Sequence, residues 1–396
     1  LSSEERVTVI RNGRIVTENN SVIEGGTIVW QNQRIVYIGE DGGERGLKIV
    51  NDTSAIMIDA DGGWVLPGFI DVHVHGGAGY DFMEATTEAY DAITRFHARH
   101  GTTGMLATTV TAPRDALTSA IHTASVYRSN ETRYAELLGV HLEGPFISPQ
   151  WSGAQNPEYI VAPQLEWIEH WVSMYPALIR ILTLAPELDG ASALIAWLND
   201  RGIIPACGHT DASYDCMNEA AKHGLRHAVH SFNAMRGMHH REPGTVGAIL
   251  TDDRISAEII ADGHHVHPAG IRMLTALKRS DQVILITDAI SAAGLEDGSY
   301  RSAGLDVIIK DSVSRTKEGG QLAGSMLTMI KAFQFMAREV GLKVEQVSRF
   351  ASGNPALLLG LDQERGSLAK GKLADLLILS ADLELQHVFV RGRPVH

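Results

Sequence analysis

Short apolar runs alternate with amphipathic stretches along most of this chain, and their spacing sets the expected fold. From residue 65 the runs recur eight times, at 64–75, 102–110, 136–144, 178–187, 202–209, 225–232, 254–262 and 282–289. Between and after them lie stretches of helical texture at 87–100, 113–129, 162–175, 191–201, 212–223, 268–280 and 327–340. Near-continuous apolar runs belong to strands buried on both faces, and β–α alternation implies a parallel sheet. Eight such units predict a (β/α)8 TIM-like barrel. The first 60 residues differ. Runs at 7–12, 14–18, 26–31, 34–39 and 55–59 are rich in β-branched residues and broken by Gly, Asn and Asp, as in a small sheet. The tail, 366–396, reads as strands and turns without a helix. The expected fold is therefore α/β. A barrel over 63–363 carries a small β-sandwich domain built from both chain ends, 1–62 and 364–396.

Composition narrows the function classes. Hydrophobic residues at 44% and charged residues at 20% exclude wholesale disorder. Lys and Arg number 34 against 47 Asp and Glu, a net charge of −13, and no basic stripe appears, so nucleic acid is not an expected partner. The longest apolar runs, 283–287 and 376–379, are too short to span a bilayer. The opening LSSEERVTVI lacks the basic start and apolar core of a signal peptide. Two cysteines, Cys207 and Cys216, make no disulfide framework, and a cytoplasmic location is expected. Histidine is in excess at 18 residues, as many as Tyr and Phe together, which directs attention to metal or acid–base chemistry.

In such barrels reactive groups gather at the C-terminal ends of the strands. Strand one ends in His73-Val74-His75, and residues two apart on a strand face the same way. Strand three ends in Glu143, strand five in His209, strand six in His230 and strand eight in Asp288. Imidazole and carboxylate suit Zn²⁺ or Fe²⁺. A lone histidine is more often structural than a ligand, and Glu143 or Asp288 alone could cap a turn or helix. Their coincidence at five strand ends favours one shared site. Cys207 reads as a small core residue and His141 as packing or as support for a ligand. His97, His100, His122, His170 and His223 fall on expected helices and read as solvated.

These residues resemble the amidohydrolase superfamily of metal-dependent hydrolases, through PGFIDVHVHG (67–76), the later ligands in order, and GSLAKGKLADLLIL (366–379). HLEGPFIS (141–148), GAQNPEYI (153–160), GHTDA (208–212), HSFNAM (230–235), REPG (241–244), ADGHHV (261–266), ITDA (286–289) and LAGS (322–325) resemble, more narrowly, the N-acetylglucosamine-6-phosphate deacetylase family. The resemblance implies hydrolysis of an acetamido group on an amino-sugar phosphate. It implies Glu143, His209 and His230 as holders of the main metal. It implies His73 and His75 as holders of a second, giving one or two divalent ions per subunit. Zinc is favoured and iron is the alternative. Strand four, LIRILTLAPE, has no lysine to bridge two metals, which fits the deacetylases better than other amidohydrolases. By the same resemblance Asn233, the backbone of Ala234, His265 and Arg241 meet the sugar phosphate. Arg241 does so from the neighbouring subunit of a homodimer. Gln155 stands where many relatives carry the histidine that polarises the acetyl carbonyl; an amide donates a hydrogen bond but brings no charge.

Asp288, at the end of strand eight, is the expected general base and acid. The rivals are another hydrolase of the superfamily, such as a cyclic-amide hydrolase or a deaminase, and a sugar-phosphate binding protein without turnover. HLEGPF and the absent lysine speak against the first, and the complete ligand set against the second.

Overall fold

The computed structural model describes residues 7–40, 55–130, 134–302 and 304–396. Eight parallel strands pair in sequence order: Phe69–Asp71, Thr102–Thr108, Glu136–Glu143, Ile179–Leu184, Ile204–Cys207, His227–Ala228, Ser256–Ile260 and Val283–Ile286. The ring closes between the eighth strand and the first. There the Asp288 amide donates to His73 O at 2.9 Å and the His75 amide to Ala289 O at 2.9 Å. A side-chain clasp sits beside them: Thr287 Oγ1 donates to Asp71 Oδ2 at 2.5 Å. Burial pushes the Asp71 carboxyl up to about 7.

Each strand is followed by a helix, as the alternation predicts. These are Thr87–Ala98, Arg114–Arg128, Leu165–Met174, Ala191–Asp200, Tyr214–Lys222, Gly244–Thr251, Pro268–Leu277 and Met329–Phe335. The sixth has no counterpart among the helical stretches read from the sequence. Gly244–Thr251 contains two glycines and is buried on nearly every side, so it carries no amphipathic period.

Three details differ from the sequence reading. The run 64–75 is divided: Trp64–Pro67 pairs with Val7–Val16 and Leu376–Leu379 in a second sheet, and only Phe69–Asp71 joins the barrel. Strand six is two residues long, because the chain turns into left-handed backbone at His230 and Phe232. His97 is not solvated. It lies on the inner face of Thr87–Ala98, fully buried, with Nε2 at 2.9 Å from Gly76 O, and burial pushes its pKa down to about 4.

The second sheet combines both chain ends. In spatial order it runs Arg393–Pro394, Leu385–Val390, Leu376–Leu379, Trp64–Pro67, Val7–Val16, Val22–Gln31 and Arg34–Glu40, with Ile56–Asp59 also beside Val7–Val16. Its own apolar core includes Ile10, Ile15, Ile28, Trp30, Val65, Ile378 and Phe389. Arg365 and Arg391 tie the tail to Glu136, at the start of barrel strand three.

A three-stranded meander, Gly298–Ser302, Leu305–Lys310 and Val313–Thr316, follows strand eight. The sequence reading assigned no element to that stretch. Its strands alternate buried and exposed positions with many polar residues, so no long apolar run marks them.

Candidate metal centre

A cavity of about 430 Å³ opens at the C-terminal ends of the barrel strands. His75, Glu143, His209, His230 and Asp288 line its floor, and Gln155, Asn233, Ala234 and His265 line its sides. That volume lies within the usual range for small-molecule sites. Ser302, Leu305 and Val307 of the meander close one flank.

Glu143 is the centre of the floor. Its Oε1 lies 3.0 Å from His230 Nε2, 3.2 Å from His209 Nε2 and 3.3 Å from His73 Nε2. Its Oε2 lies 3.4 Å from His75 Nε2 and accepts from Gln155 Nε2 at 2.6 Å. His209 and His230 hold their Nε2 atoms 3.2 Å apart. Ligand atoms at about 2.0–2.1 Å from a tetrahedral zinc ion are separated by roughly 3.3–3.4 Å. The spacing of these nitrogen and oxygen atoms is close to that. His73 Nε2 is fully buried and, among the described residues, makes no hydrogen bond beyond the 3.3 Å approach of Glu143 Oε1. The donor set therefore fits a divalent cation.

A second group adjoins the first. Asp288 Oδ1 lies 3.1 Å from His75 Nε2 and 3.6 Å from His73 Nε2. His73 thus borders three potential metal-holding groups: two at the floor, with Glu143 and His230 and with His75 and Asp288, and one behind it, with His141 and Glu258. Burial works against charge at His73, His75, Glu143 and Asp288. It is outweighed at Glu143, where the imidazoles hold the carboxyl well below its ordinary range. Burial likewise opposes ionisation of Asp288, but the His75 hydrogen bond and the neighbouring imidazoles keep its carboxyl below the usual value.

The backbone explains how these side chains reach inward. His209, His230 and Asp288 each lie two residues beyond the end of a strand, at φ of 48°, 28° and 50°. Left-handed backbone is costly for non-glycine residues and concentrates at functional sites. Gly144, at φ 77°, makes the turn after Glu143, and an added Cβ there would overlap Thr111 Oγ1. Gln155 is fixed from both ends of its amide, since its Oε1 accepts from the Thr111 amide at 2.7 Å.

The remaining expected site residues divide. Asn233 donates to His230 O and Ser231 O at 3.3 Å, and His265 Nδ1 lies 2.6 Å from Asp262 Oδ2; both line the cavity. Ala234 lies beside them in left-handed backbone, φ 48°. Arg241 does not line the cavity. It is exposed, on a loop where its Nη1 meets His240 Nε2 at 2.7 Å. His141 lies behind the floor, its ring nitrogens 3.1 Å from Val72 O and 2.8 Å from Thr183 Oγ1, and burial pushes its pKa down to about 3.

Sequence reasoning missed Glu258 and His227, which are fully buried within barrel strands. Glu258 Oε2 lies 2.8 Å from His73 Nδ1, and its Oε1 lies 2.8 Å from His227 Nε2. The available signal was a glutamate inside the apolar run RISAEIIAD, since glutamate is almost never fully buried unless paired.

Comparison with known proteins yields a consistent set. The Amidohydrolase family profile matches residues 64–395. An N-acetylglucosamine-6-phosphate deacetylase of Bacillus subtilis (strain 168) is 40% identical over 331 residues, 83% of each chain. An N-acetylgalactosamine-6-phosphate deacetylase of Escherichia coli O157:H7 is 37% identical, over 85% of this chain and 89% of its own. Among solved structures, an aspartate-to-alanine mutant of the Mycobacterium smegmatis N-acetyl-D-glucosamine-6-phosphate deacetylase, in complex with N-acetyl-D-glucosamine-6-phosphate, superposes with a TM-score of 0.90. It is 32% identical and covers 99% of this chain and 100% of its own.

Proposed function

This chain belongs to the amidohydrolase family of metal-dependent hydrolases, and we propose that it removes the acetyl group from N-acetylglucosamine 6-phosphate. The products are glucosamine 6-phosphate and acetate, in amino-sugar catabolism and recycling. The observation that carries this reading is the convergence of four imidazoles on one buried carboxylate at the floor of the cavity. The activity of the relatives supports the substrate. The Escherichia coli relative makes the C4 epimer, N-acetylgalactosamine 6-phosphate, the competing substrate. The test is acetate release by metal-loaded protein from both phosphorylated sugars and from unphosphorylated N-acetylglucosamine. The expected order of kcat/KM puts N-acetylglucosamine 6-phosphate first. Absence of acetate from both phosphorylated sugars would refute the reading, and a preference for the epimer would reassign the substrate.

Hydrolysis of an amide needs an activated water, a stabilised oxyanion and a proton for the leaving nitrogen. Glu143, His209 and His230 would hold a divalent ion, and His73 and His75 a second where two bind, and the ion would supply Lewis acidity and lower the pKa of water toward neutrality. The ligand types favour zinc, with iron(II) as the alternative. Asp288 accepts the proton of the attacking water and returns it to the amine nitrogen. Its depressed carboxyl suits it to begin the cycle as the anion. The Gln155 amide, already aimed at the centre, donates a hydrogen bond to the developing oxyanion.

Asn233, the Ala234 backbone and His265 contact the sugar phosphate from within the cavity. Arg241 completes the phosphate site from the partner copy of a homodimer; its exposure outside its own chain's cavity supports that reading. The guanidinium fork matches phosphate oxygens. The proposed organisation is a hydrolase barrel over 63–363 and a side domain from 1–62 and 364–396. The proposed location is the cytoplasm; among the described residues no helix is long and apolar enough to cross a membrane.

A further inference from the structure

Behind the floor of the cavity lies a chain of polar side chains that no step above uses. Glu258, in the middle of strand seven, is fully buried between Ala257 and Ile259 and does not line the cavity. Its Oε2 lies 2.8 Å from His73 Nδ1 and also accepts from the His230 amide at 3.2 Å. Its Oε1 lies 2.8 Å from His227 Nε2, and His227 Nδ1 lies 2.8 Å from Ser256 Oγ. A carboxylate in an apolar barrel is expensive unless every partner is in place, and packing alone is served as well by apolar side chains. The arrangement therefore calls for a reason beyond stability.

An ionised carboxylate only accepts hydrogen bonds. Both ring nitrogens that face Glu258 therefore carry hydrogen. For His73 this makes Nδ1 a hydrogen-bearing nitrogen and leaves Nε2, 3.3 Å from Glu143 Oε1, as the atom that can face a metal. The other imidazoles at the centre are held differently. His75 Nδ1 faces the carbonyl of Thr108 at 3.3 Å, His209 Nδ1 faces that of Trp151 at 3.0 Å, and His230 Nδ1 has no partner. His73 alone among these four has a charged acceptor behind it.

We propose that Glu258 is a positioning residue of the metal centre, acting through His73. It sets the tautomer and ring orientation of His73 and makes that imidazole the most electron-rich nitrogen ligand of the four. His227 holds the carboxylate so that it cannot swing away, and the bond to the His230 amide links the two metal-holding groups of the floor. The proposal rests on His73 being a ligand, and its test separates the two ideas.

The experiment measures zinc stoichiometry after dialysis and zinc affinity by chelator competition. The proteins are the 396-residue chain and its Glu258→Gln, His73→Ala and doubly substituted variants, each checked for folding by circular dichroism in the metal-free form. Glutamine has nearly the shape of glutamate but can offer an acceptor to only one of the two rings. Loss of such a supporting partner typically weakens metal affinity about 10–100-fold. Glu258→Gln is expected to loosen by that factor the same zinc that His73→Ala loosens, and to add nothing in the His73→Ala background. Should Glu258→Gln fail to fold, His227→Gln, which leaves the carboxylate but removes its brace, is expected to loosen the same zinc by a smaller factor. Unchanged zinc binding in Glu258→Gln, or in His227→Gln where that variant stands in, with loss in His73→Ala overturns the positioning role alone. Effects that multiply in the double variant also overturn it, because Glu258 then acts by another route. Unchanged zinc binding in His73→Ala overturns the ligand reading of His73 and the proposal with it.

Discussion

Replacing Asp288 by asparagine isolates proton transfer from everything else that residue does. The backbone there is left-handed, φ 50°, a conformation that asparagine accepts as readily as aspartate. The side-chain shapes match, so the amide oxygen can take the place of Asp288 Oδ1, which lies 3.1 Å from His75 Nε2. The backbone bond that closes the barrel, from the Asp288 amide to His73 O, is untouched. What is lost is the ability to take and return a proton. A positioned general acid–base contributes about 10²–10⁴-fold, or roughly 3–5 kcal/mol of barrier. Asp288→Asn should therefore lower kcat by that factor, with KM for N-acetylglucosamine 6-phosphate changed little and zinc content retained. The assay is steady-state acetate release beside elemental analysis of the same preparation. Two results refute the reasoning. If kcat falls less than about tenfold with full metal, another group moves the proton. If zinc is lost together with activity, Asp288 acts as a ligand of the His73–His75 group and its role as base is unsupported.

The other predictions address different links. His230→Ala should lose the main metal, so that a chelator, which lowers the melting temperature of the parent protein, leaves the variant unmoved; saturation at 100 times Kd is worth about 2.7 kcal/mol. An equal chelator effect in both proteins removes His230 from the ligand set. Arg241→Ala should raise KM for the phosphorylated sugar about 10–100-fold, as expected for one charged hydrogen bond, and leave the unphosphorylated sugar unaffected. Mixing it with Asp288→Asn should restore low-KM turnover of the phosphorylated sugar that neither has alone, and no restoration argues against donation from a partner copy. His97 is held neutral by burial, with its pKa lowered from 6.5 to about 4. The unfolded chain then binds the extra proton first, so stability is fully present above about pH 6.5 and declines as pH falls toward 4, by up to about 3 kcal/mol. His97→Gln should show a shallower decline over that window in denaturant melts, and an identical slope would contradict the assignment.

How much of this was legible in the sequence depends on the direction of each contact. The barrel was legible because each buried strand reports its own environment: Val283–Ile286 is apolar throughout since both its faces are covered. That His73, His75, Glu143, His209, His230 and Asp288 come together was legible because the fold places strand ends on one rim, so position along the chain translates into position on that rim. His97 was misread for a related reason. The sequence marks its helix, but which turn of that helix meets Gly76 depends on how the helix is docked.

Glu258 and Asp71 mark the limit. Each interrupts an apolar run, and that interruption is all a single strand can display. Their partners, His73 and His227 for one and Thr287 for the other, lie on or just beyond other strands, 185, 31 and 216 residues away in sequence. A ligand can be recognised by its chemistry and its place at a strand end. A residue that orients a ligand is chosen by the atom across from it, so its role exists only once the barrel has closed. The buried acid in a run of aliphatic residues is thus the one sequence signal such a residue leaves, and His73 Nδ1 is what gives that signal at Glu258 its meaning.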